Sequence, residues 1–95
     1  MVRIEWTPLA YEDLETIFDY ISKDSVFYAT KQVDTLIKRV DVLEEYPLAG
    51  RVVPEFNTII IRELIEGSYR IIYKIENEII FIIRIHHSAR NLIEI

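Results

Sequence analysis

Residues 67–74, Gly-Ser-Tyr-Arg-Ile-Ile-Tyr-Lys, most constrain the fold, because they alternate two kinds of side chain over the length of a strand. An extended chain directs successive side chains to opposite sides. One side carries Tyr69, Ile71, Tyr73 and Ile75, and the other carries Arg70, Ile72 and Lys74. Apolar segments at residues 58–65 and 78–87 flank this strand across short polar turns. Three strands joined in this way predict an antiparallel meander.

The first half of the chain predicts a short strand and two helices. Residues 2–6 alternate as a strand does, and Thr7 and Pro8 then favour a helix start, since threonine caps free amides and proline suits the first position. The apolar stripe of this helix is Ala10, Leu14, Ile17, Phe18 and Ile21. Asp24 or Ser25 is expected to cap a second helix, which ends before Pro47. Its stripe is Ala29, Val33, Leu36, Ile37, Val40 and Leu43.

Both helices need more apolar surface than either offers the other, so we expect the hairpin to lie across one face of the meander. The fold class is therefore α+β, and residues 1–95 are expected to form a single domain. Residues 47–54 are expected to be a loop.

Strand register decides which side chains share a face of the sheet. A two-residue turn at Glu66-Gly67 would pair Ile65 with Ser68 and place Glu63 opposite Arg70. For the second turn a three-residue loop, residues 76–78, is expected. It would direct Ile79, Phe81, Ile83 and Ile85 toward the helices.

A two-residue loop at the second turn would instead bury Arg84 and His86, which is costlier. With the three-residue loop, Ile83→Ala is expected to cost about 2 to 5 kcal/mol as a core truncation. The opposite face then carries five charged or titratable residues among isoleucines. These residues are Glu63, Arg70, Lys74, Arg84 and His86, and the isoleucines are Ile61, Ile72, Ile80 and Ile82.

A face this apolar usually marks a partner surface. Residues 47–57 or 91–95 could also cover it.

Charge is distributed unevenly along the chain. The net charge is −5, and the acid excess lies in residues 1–58, with 6 Lys+Arg against 11 Asp+Glu. Residues 84–90 hold two arginines and two histidines with no carboxylate, so a polyanion would meet this end of the chain. His86 and His87 face opposite sides of a strand, so no metal site is expected, and no cofactor is expected either.

Cysteine is absent, and the chain shows neither a signal peptide nor an apolar run of about 20 residues. A cytoplasmic protein with no membrane partner is the resulting expectation.

With these elements in place, the chain resembles the RelE/ParE toxins of bacterial and archaeal type II toxin–antitoxin modules. The resemblance covers nearly the whole chain and rests on the order and spacing of short motifs. These are the strand ending at Trp6-Thr7, the hairpin, residues 50–55 (GRVVPE), residues 61–64 (IREL), residues 69–73 (YRIIY) and residues 84–92 (RIHHSARNL). The resemblance implies a cognate antitoxin wrapped around the toxin as a hetero-oligomer. It also implies a cellular target, either DNA gyrase or the ribosome with its mRNA.

The two targets imply different chemistry. The RelE-like branch cuts mRNA on the ribosome, where basic groups hold the scissile phosphate and a general base activates the 2′-hydroxyl. The ParE-like branch poisons gyrase without a recognised active site of its own. Transferred position by position, the resemblance assigns catalytic roles to Arg70 and Arg90, and His87 is a further catalytic candidate as a general acid or base. The two positions that hold lysines in the RelE-like pattern are Ile61 and Glu63 here.

Glu63 beside Arg70 would neutralise the charge that stabilises a pentavalent phosphate, so the ParE-like interpretation is favoured and the mRNA endoribonuclease is the alternative. A degenerate toxin kept as a binding module is a third possibility. Target or antitoxin contacts are expected from Glu63, Arg70, Lys74, Arg84, His86 and Arg90. Arg70 is equally explained as an ion-pair partner of Glu63, and His87 as a structural histidine.

A substitution in the basic segment tests whether this end of the chain is functional. Arg90→Ala is expected to weaken growth arrest on induction and to leave stability unchanged, because a surface arginine contributes little to folding. Colony counts after induction and thermal unfolding of the purified variant check this. Unchanged growth arrest would contradict it.

Overall fold

The chain forms a short strand and a helical hairpin before the rest of its sheet. The structure, a computed structural model, describes residues 2–88. The elements in order are β1 (Arg3–Trp6), α1 (Pro8–Ser22), α2 (Val26–Asp41), a short 3₁₀ helix (Val42–Glu44), β2 (Arg51–Val52), β3 (Ile61–Glu66), β4 (Tyr69–Glu76) and β5 (Ile79–His87). None of the helices in the described part is long and apolar enough to cross a bilayer.

Both predicted helix starts are confirmed. The Thr7 hydroxyl accepts a hydrogen bond from the Ala10 amide at 3.2 Å, and Pro8 occupies the first helical position. The same hydroxyl lies 3.0 Å from the carbonyl oxygen of Ile82, so this cap also attaches α1 to the last strand. Ser25 caps α2 by accepting from the Tyr28 amide at 3.2 Å. The two caps therefore set where each helix begins.

The described sheet has five strands in the order β1-β5-β4-β3-β2. β1 runs parallel to β5, and all other neighbours are antiparallel, which confirms the predicted meander and the α+β class. The two-residue strand β2 lies within the segment that was expected to be a loop. The main core lies between the helices and one face of the sheet, and it includes Leu14, Leu36, Leu43, Leu64, Ile71, Tyr73, Ile80 and Ile82.

The predicted register of β3 against β4 is wrong by two positions. Gly67 and Ser68 form the turn, so Glu66 pairs with Tyr69 and Glu63 lies opposite Ile72. Gly67 has a φ of +58°, and the two-residue hairpin turns need a positive φ at their first central position, where the expected register would have put Glu66. A shift of two keeps every side chain on its predicted face, so Glu63 and Arg70 remain diagonal neighbours.

The predicted three-residue loop between β4 and β5 is also wrong. Asn77 and Glu78 form a two-residue turn, and Glu76 pairs with Ile79. Ile80 and Ile82 are therefore fully buried in the core, where Ile79 and Phe81 had been expected. Asn77 has a φ of 56°, which asparagine tolerates better than most residues.

A bulge at Ile83 prevents this short turn from burying charge. Tyr73 pairs with Ile82 while its neighbour Ile72 pairs with Arg84, so Ile83 is an extra residue with no partner. One extra residue reverses which side chains face the core. Ile85 is consequently buried, as expected, and Arg84 stays out of the core.

The sheet face away from the helices is covered in part, whereas Ile65 on the same face is 46% exposed. Ile72 and Glu63 lie on this face and are buried, and Val53, which follows β2, is buried as well. The segment that follows β2 accounts for this burial, because its Glu55 is hydrogen-bonded to Arg70 on the same face. Of the two segments named above as possible covers, residues 47–57 contribute Glu55 to this face, and residues 91–95 lie outside the described residues.

The loop before β2 is held by the buried hydroxyl of Tyr73. This hydroxyl accepts from the Gly50 amide and donates to the Pro47 carbonyl, both at 2.9 Å. A Cβ at Gly50 would lie 2.6 Å from the carbonyl oxygen of Glu63, so the close approach requires glycine.

The position of the bulge predicts that Ile82 and Ile83 contribute differently to the stability of the fold. Ile82→Ala is expected to destabilise the fold by about 2 to 5 kcal/mol, because it removes a fully buried side chain. Ile83→Ala is expected to cost less than Ile82→Ala, because Ile83 is only partly buried. Urea unfolding of both variants measures the difference, and a larger loss for Ile83→Ala would contradict the register.

Candidate functional site

Four charged residues form a chain of ion pairs on the sheet face away from the helices, and we call them the Arg70 cluster: Arg51, Glu55, Glu63 and Arg70. The Glu63 side chain is 0% exposed and accepts from Arg51 Nε at 2.7 Å and from Arg70 Nε at 2.5 Å. A buried carboxylate needs such partners, because leaving it unpaired costs several kcal/mol. The predicted pairing of Glu63 with Arg70 is therefore present, with Arg51 as an additional partner.

The outer end of Arg70 is bound by a second carboxylate. Its two terminal nitrogens donate to the two oxygens of Glu55 at 2.8 and 2.9 Å, a bidentate pair. These bonds lower the pKa of Glu55 from 4.5 to about 2. They also raise the pKa of Arg70, and Glu63 adds to that effect. The Arg70 side chain is only 11% exposed, so every nitrogen of its guanidinium faces an internal acid.

Charge compensation is complete within the Arg70 cluster. Two guanidinium groups face two carboxylates, so the formal charge is zero. Stabilising a transferring phosphate requires a cation aimed at it without an internal counterion. The cluster as it stands is built to hold the segment after β2 against the sheet.

A second group of the predicted residues lines a groove between α1 and the end of β5. The groove has a volume of about 460 Å³ and includes Tyr69, Arg84, His86 and His87 in its walls. Arg84 donates to both oxygens of Asp13, at 2.8 and 3.1 Å, which raises the Arg84 pKa. The groove is thus mixed in character, with an ion pair, aromatic rings and apolar residues of α1.

Asp13 also covers part of the free edge of β5. Its carboxylate accepts from the Ile85 amide at 2.9 Å, beyond the point where β1 stops pairing. An unpaired strand edge would otherwise expose its amides. Asp13 therefore connects α1 to β5 in the way that Glu63 connects β3 to β4.

The sheet does not bring together the residues expected to act jointly on a phosphate. Arg70 pairs with His86, whereas His87 pairs with Tyr69 and stacks edge-to-face on its ring at 5.5 Å. Arg70 and His87 therefore lie on opposite faces. Arg90 lies outside the described residues.

Lys74 is paired with Glu76 at 3.3 Å and is partly exposed. Among residues 2–88 no group of three or more acidic or histidine residues could hold a metal ion.

Three members of these ion pairs were not expected from the sequence: Asp13, Arg51 and Glu55. Asp13 belongs to an acidic helix face that looks solvated, and no spacing rule relates it to Arg84, 71 residues later. Arg51 and Glu55 belong to residues 50–55, one of the motifs on which the resemblance rests. Their place in that motif was the signal that could have marked them as candidate site residues.

Solved structures place this fold among small α+β toxins. The chain aligns with the YoeB–YefM complex from Staphylococcus aureus over 92% of its length and 97% of that chain, with a TM-score of 0.59 and 14% identity. It aligns better with the chromosomal ParDE TA system from P. aeruginosa, over 92% and 96% of the two chains, with a TM-score of 0.77 and 26% identity. The fold is therefore one that is found in toxin–antitoxin systems.

Sequence comparison identifies the family. Residues 4–92 match the family described as the ParE toxin of the type II toxin–antitoxin system parDE. A Caulobacter vibrioides protein, Toxin RelE2, is 36% identical over 91 residues, which are 95% of this chain and 99% of that protein. The chain therefore belongs to the RelE/ParE family of type II toxin–antitoxin toxins, as the resemblance implied.

The lowered pKa of Glu55 predicts how the stability of the fold depends on pH. The folded-state pKa lies below the usual value, so the stabilisation from Glu55 is present above about pH 4.5 and is lost as pH falls toward 2. Glu55→Gln is therefore expected to be less stable than the wild type at pH 7 and nearly equal to it near pH 2. Urea unfolding at several pH values measures the difference.

The exposed Glu78→Gln variant serves as the control, since it removes the same charge from the β4–β5 turn. A stability difference for Glu55→Gln that does not change with pH would contradict the assignment.

Proposed function

We propose that this protein is a ParE-like toxin that arrests growth by binding DNA gyrase in the cytoplasm and is neutralised by a cognate antitoxin. The observation that carries the proposal is the compensated Arg70 cluster, in which both ends of Arg70 face carboxylates. The match to the ParE family model over residues 4–92 supports the same branch.

The electrostatics of the sheet support a protein target over a nucleic acid. The strand β3 carries Ile61 and Glu63 at positions where the RelE-like pattern has lysines, so it adds no cation to Arg70. Nucleic-acid binding depends on net neutralisation of phosphates, and the whole chain has a charge of −5. A partly apolar protein surface fits this toxin better than a polyanion does.

An antitoxin partner is supported by the structural relatives. The similar chains from P. aeruginosa and S. aureus come from the ParDE and YoeB–YefM systems, and the latter is a heterotetrameric complex. We expect this chain to form a toxin–antitoxin hetero-oligomer as well. Contacts with the target or antitoxin are assigned to Lys74, Arg84, His86 and Arg90, while Glu63 and Arg70 act by shaping the surface.

The second candidate is a ribosome-dependent mRNA endoribonuclease of the RelE type. The groove beside α1 favours it, because Arg84, His86 and His87 meet there next to Tyr69. Histidine is the side chain that most often serves as a general acid or base. In this alternative His87 and Arg90 would supply the chemistry, with Arg70 on the other face of the sheet.

Induction of the toxin in a strain without the antitoxin distinguishes the two activities. The ParE-like proposal predicts gyrase-linked DNA cleavage and an SOS response, together with intact mRNA in primer extension. A Lys38→Ala variant, altered on the exposed side of α2, should retain full toxicity and controls for expression. Discrete codon-linked cuts in mRNA without DNA damage would reject gyrase poisoning and support the endoribonuclease.

A further inference from the structure

Strand β1 lies at the end of the described sheet, with β5 as its one neighbour there. The amides of Arg3 and Thr7 donate to carbonyls of the chain around β5 at 2.9 and 3.1 Å. Successive residues of a strand direct their backbone groups to opposite sides. The N–H and C=O groups of Ile4 and Trp6 therefore point away from β5. A strand edge of this kind is a template on which a further strand can pair.

The charged side chains of β1 are arranged symmetrically about Ile4. Arg3 and Glu5 lie on one face of the strand and pair with each other at 3.2 Å, and their side chains are 67% and 47% exposed. Charges on an edge strand commonly prevent pairing with another chain. Here the two charges have opposite sign. If a second copy runs antiparallel with its Ile4 opposite this Ile4, each Arg3 lies opposite the other copy's Glu5, which is favourable.

The same register also matches the backbone hydrogen-bonding groups. Residues that exchange both backbone hydrogen bonds occur at every second position of an antiparallel pair. With Ile4 opposite Ile4, those positions are Ile4 itself and the pair of Val2 with Trp6, whose groups point outward. The next registers that keep outward groups opposite each other are displaced by two residues. They would set Arg3 against Arg3 or Glu5 against Glu5, which is unfavourable.

Apolar side chains beside β1 would extend the contact beyond the strand itself. Tyr11 of α1 stacks on Trp6 with the ring centres 5.8 Å apart, and Tyr11 is 55% exposed. Val42 begins the 3₁₀ helix, which lies next to β1, and is 39% exposed. A pair of short strands alone is small for a specific interface. Burial of these apolar side chains between two copies would add to the area.

We propose that two copies of this protein form a homodimer by antiparallel pairing of their β1 strands, centred on Ile4. The two five-stranded sheets then join into one continuous sheet. Cross-strand ion pairs between Arg3 and Glu5 set the register. The interface involves neither the Arg70 cluster nor the groove beside α1, so it is independent of whether gyrase or the ribosome is the target.

Sedimentation velocity of the purified protein over a concentration series measures the association. The wild type is expected to pass from monomer to dimer as its concentration rises. Arg3→Glu and Glu5→Arg each set like charges opposite each other, so each is expected to raise the Kd of the dimer by about tenfold or more. The matched controls are Lys38→Glu and Asp34→Arg, which make the same changes of charge on the exposed side of α2 and should dimerise as the wild type does.

Exchanging the two charges tests the register directly. The double variant Arg3→Glu/Glu5→Arg restores opposite charges in both cross-strand pairs, so it should dimerise as the wild type does. An equal mixture of the two single variants should form a heterodimer, although each alone stays largely monomeric. Dimerisation that both single variants leave unchanged would place the interface elsewhere and overturn the proposal. Failure of the double variant to recover dimerisation would overturn it as well.

Amide hydrogen exchange locates the interface on the strand. As the wild type dimerises, the amides of Ile4 and Trp6 should become protected, whereas those of Arg3 and Glu5, which face β5, should change little. A wild type that stays monomeric at every concentration would overturn the proposal. Protection of Ile4 and Trp6 that appears only when the cognate antitoxin is added would assign the edge to the antitoxin, and would also overturn it.

Discussion

The buried carboxylate of Glu63 is the constraint on which the back of the sheet depends. A charge with no exposed surface must be fully paired, and β3 cannot supply its own partner. Arg51 from β2 and Arg70 from β4 therefore both donate hydrogen bonds to Glu63. Arg70 also donates to Glu55. In consequence the short strand β2 is kept at the edge of the sheet, the following turn lies over its face, and Ile72 and Val53 are shielded from water.

Because of the same pairing, the two faces of the sheet differ in chemical character. The helix-covered face is apolar, and part of the far face is covered by ion pairs whose charges cancel. What remains accessible near the predicted contact residues is the groove beside α1 and the partly exposed Lys74. A partner that binds there therefore meets mixed polar and apolar surface, on which Arg84 and Lys74 are already paired with Asp13 and Glu76.

Capping residues and residue alternation predicted the helices and strands, but they did not predict the register in which the strands pair. Thr7, Pro8 and Ser25 predicted where the two helices begin. The alternation of side chains predicted the strands of the meander. Both hairpin registers depended on which residues take a positive φ, Gly67 and Asn77, and on a bulge at Ile83 that no alternation pattern encodes. The Glu63–Arg70 pair was predictable because the two-residue shift preserves faces. Asp13 and Arg84 were not predictable as a pair, since only the finished fold brings α1 beside β5.

The parallel pairing of β1 with β5 has a consequence for how the molecule is made. Thr7, at the start of α1, is bonded to Ile82, 75 residues further along the chain. Long-range pairing of this kind is slow to form, and during translation the first strand has to wait until the last one has emerged. Residues 3–6 of the nascent polypeptide consequently have no strand partner until residues 79–82 have left the ribosome, so the five-stranded sheet is completed late in folding.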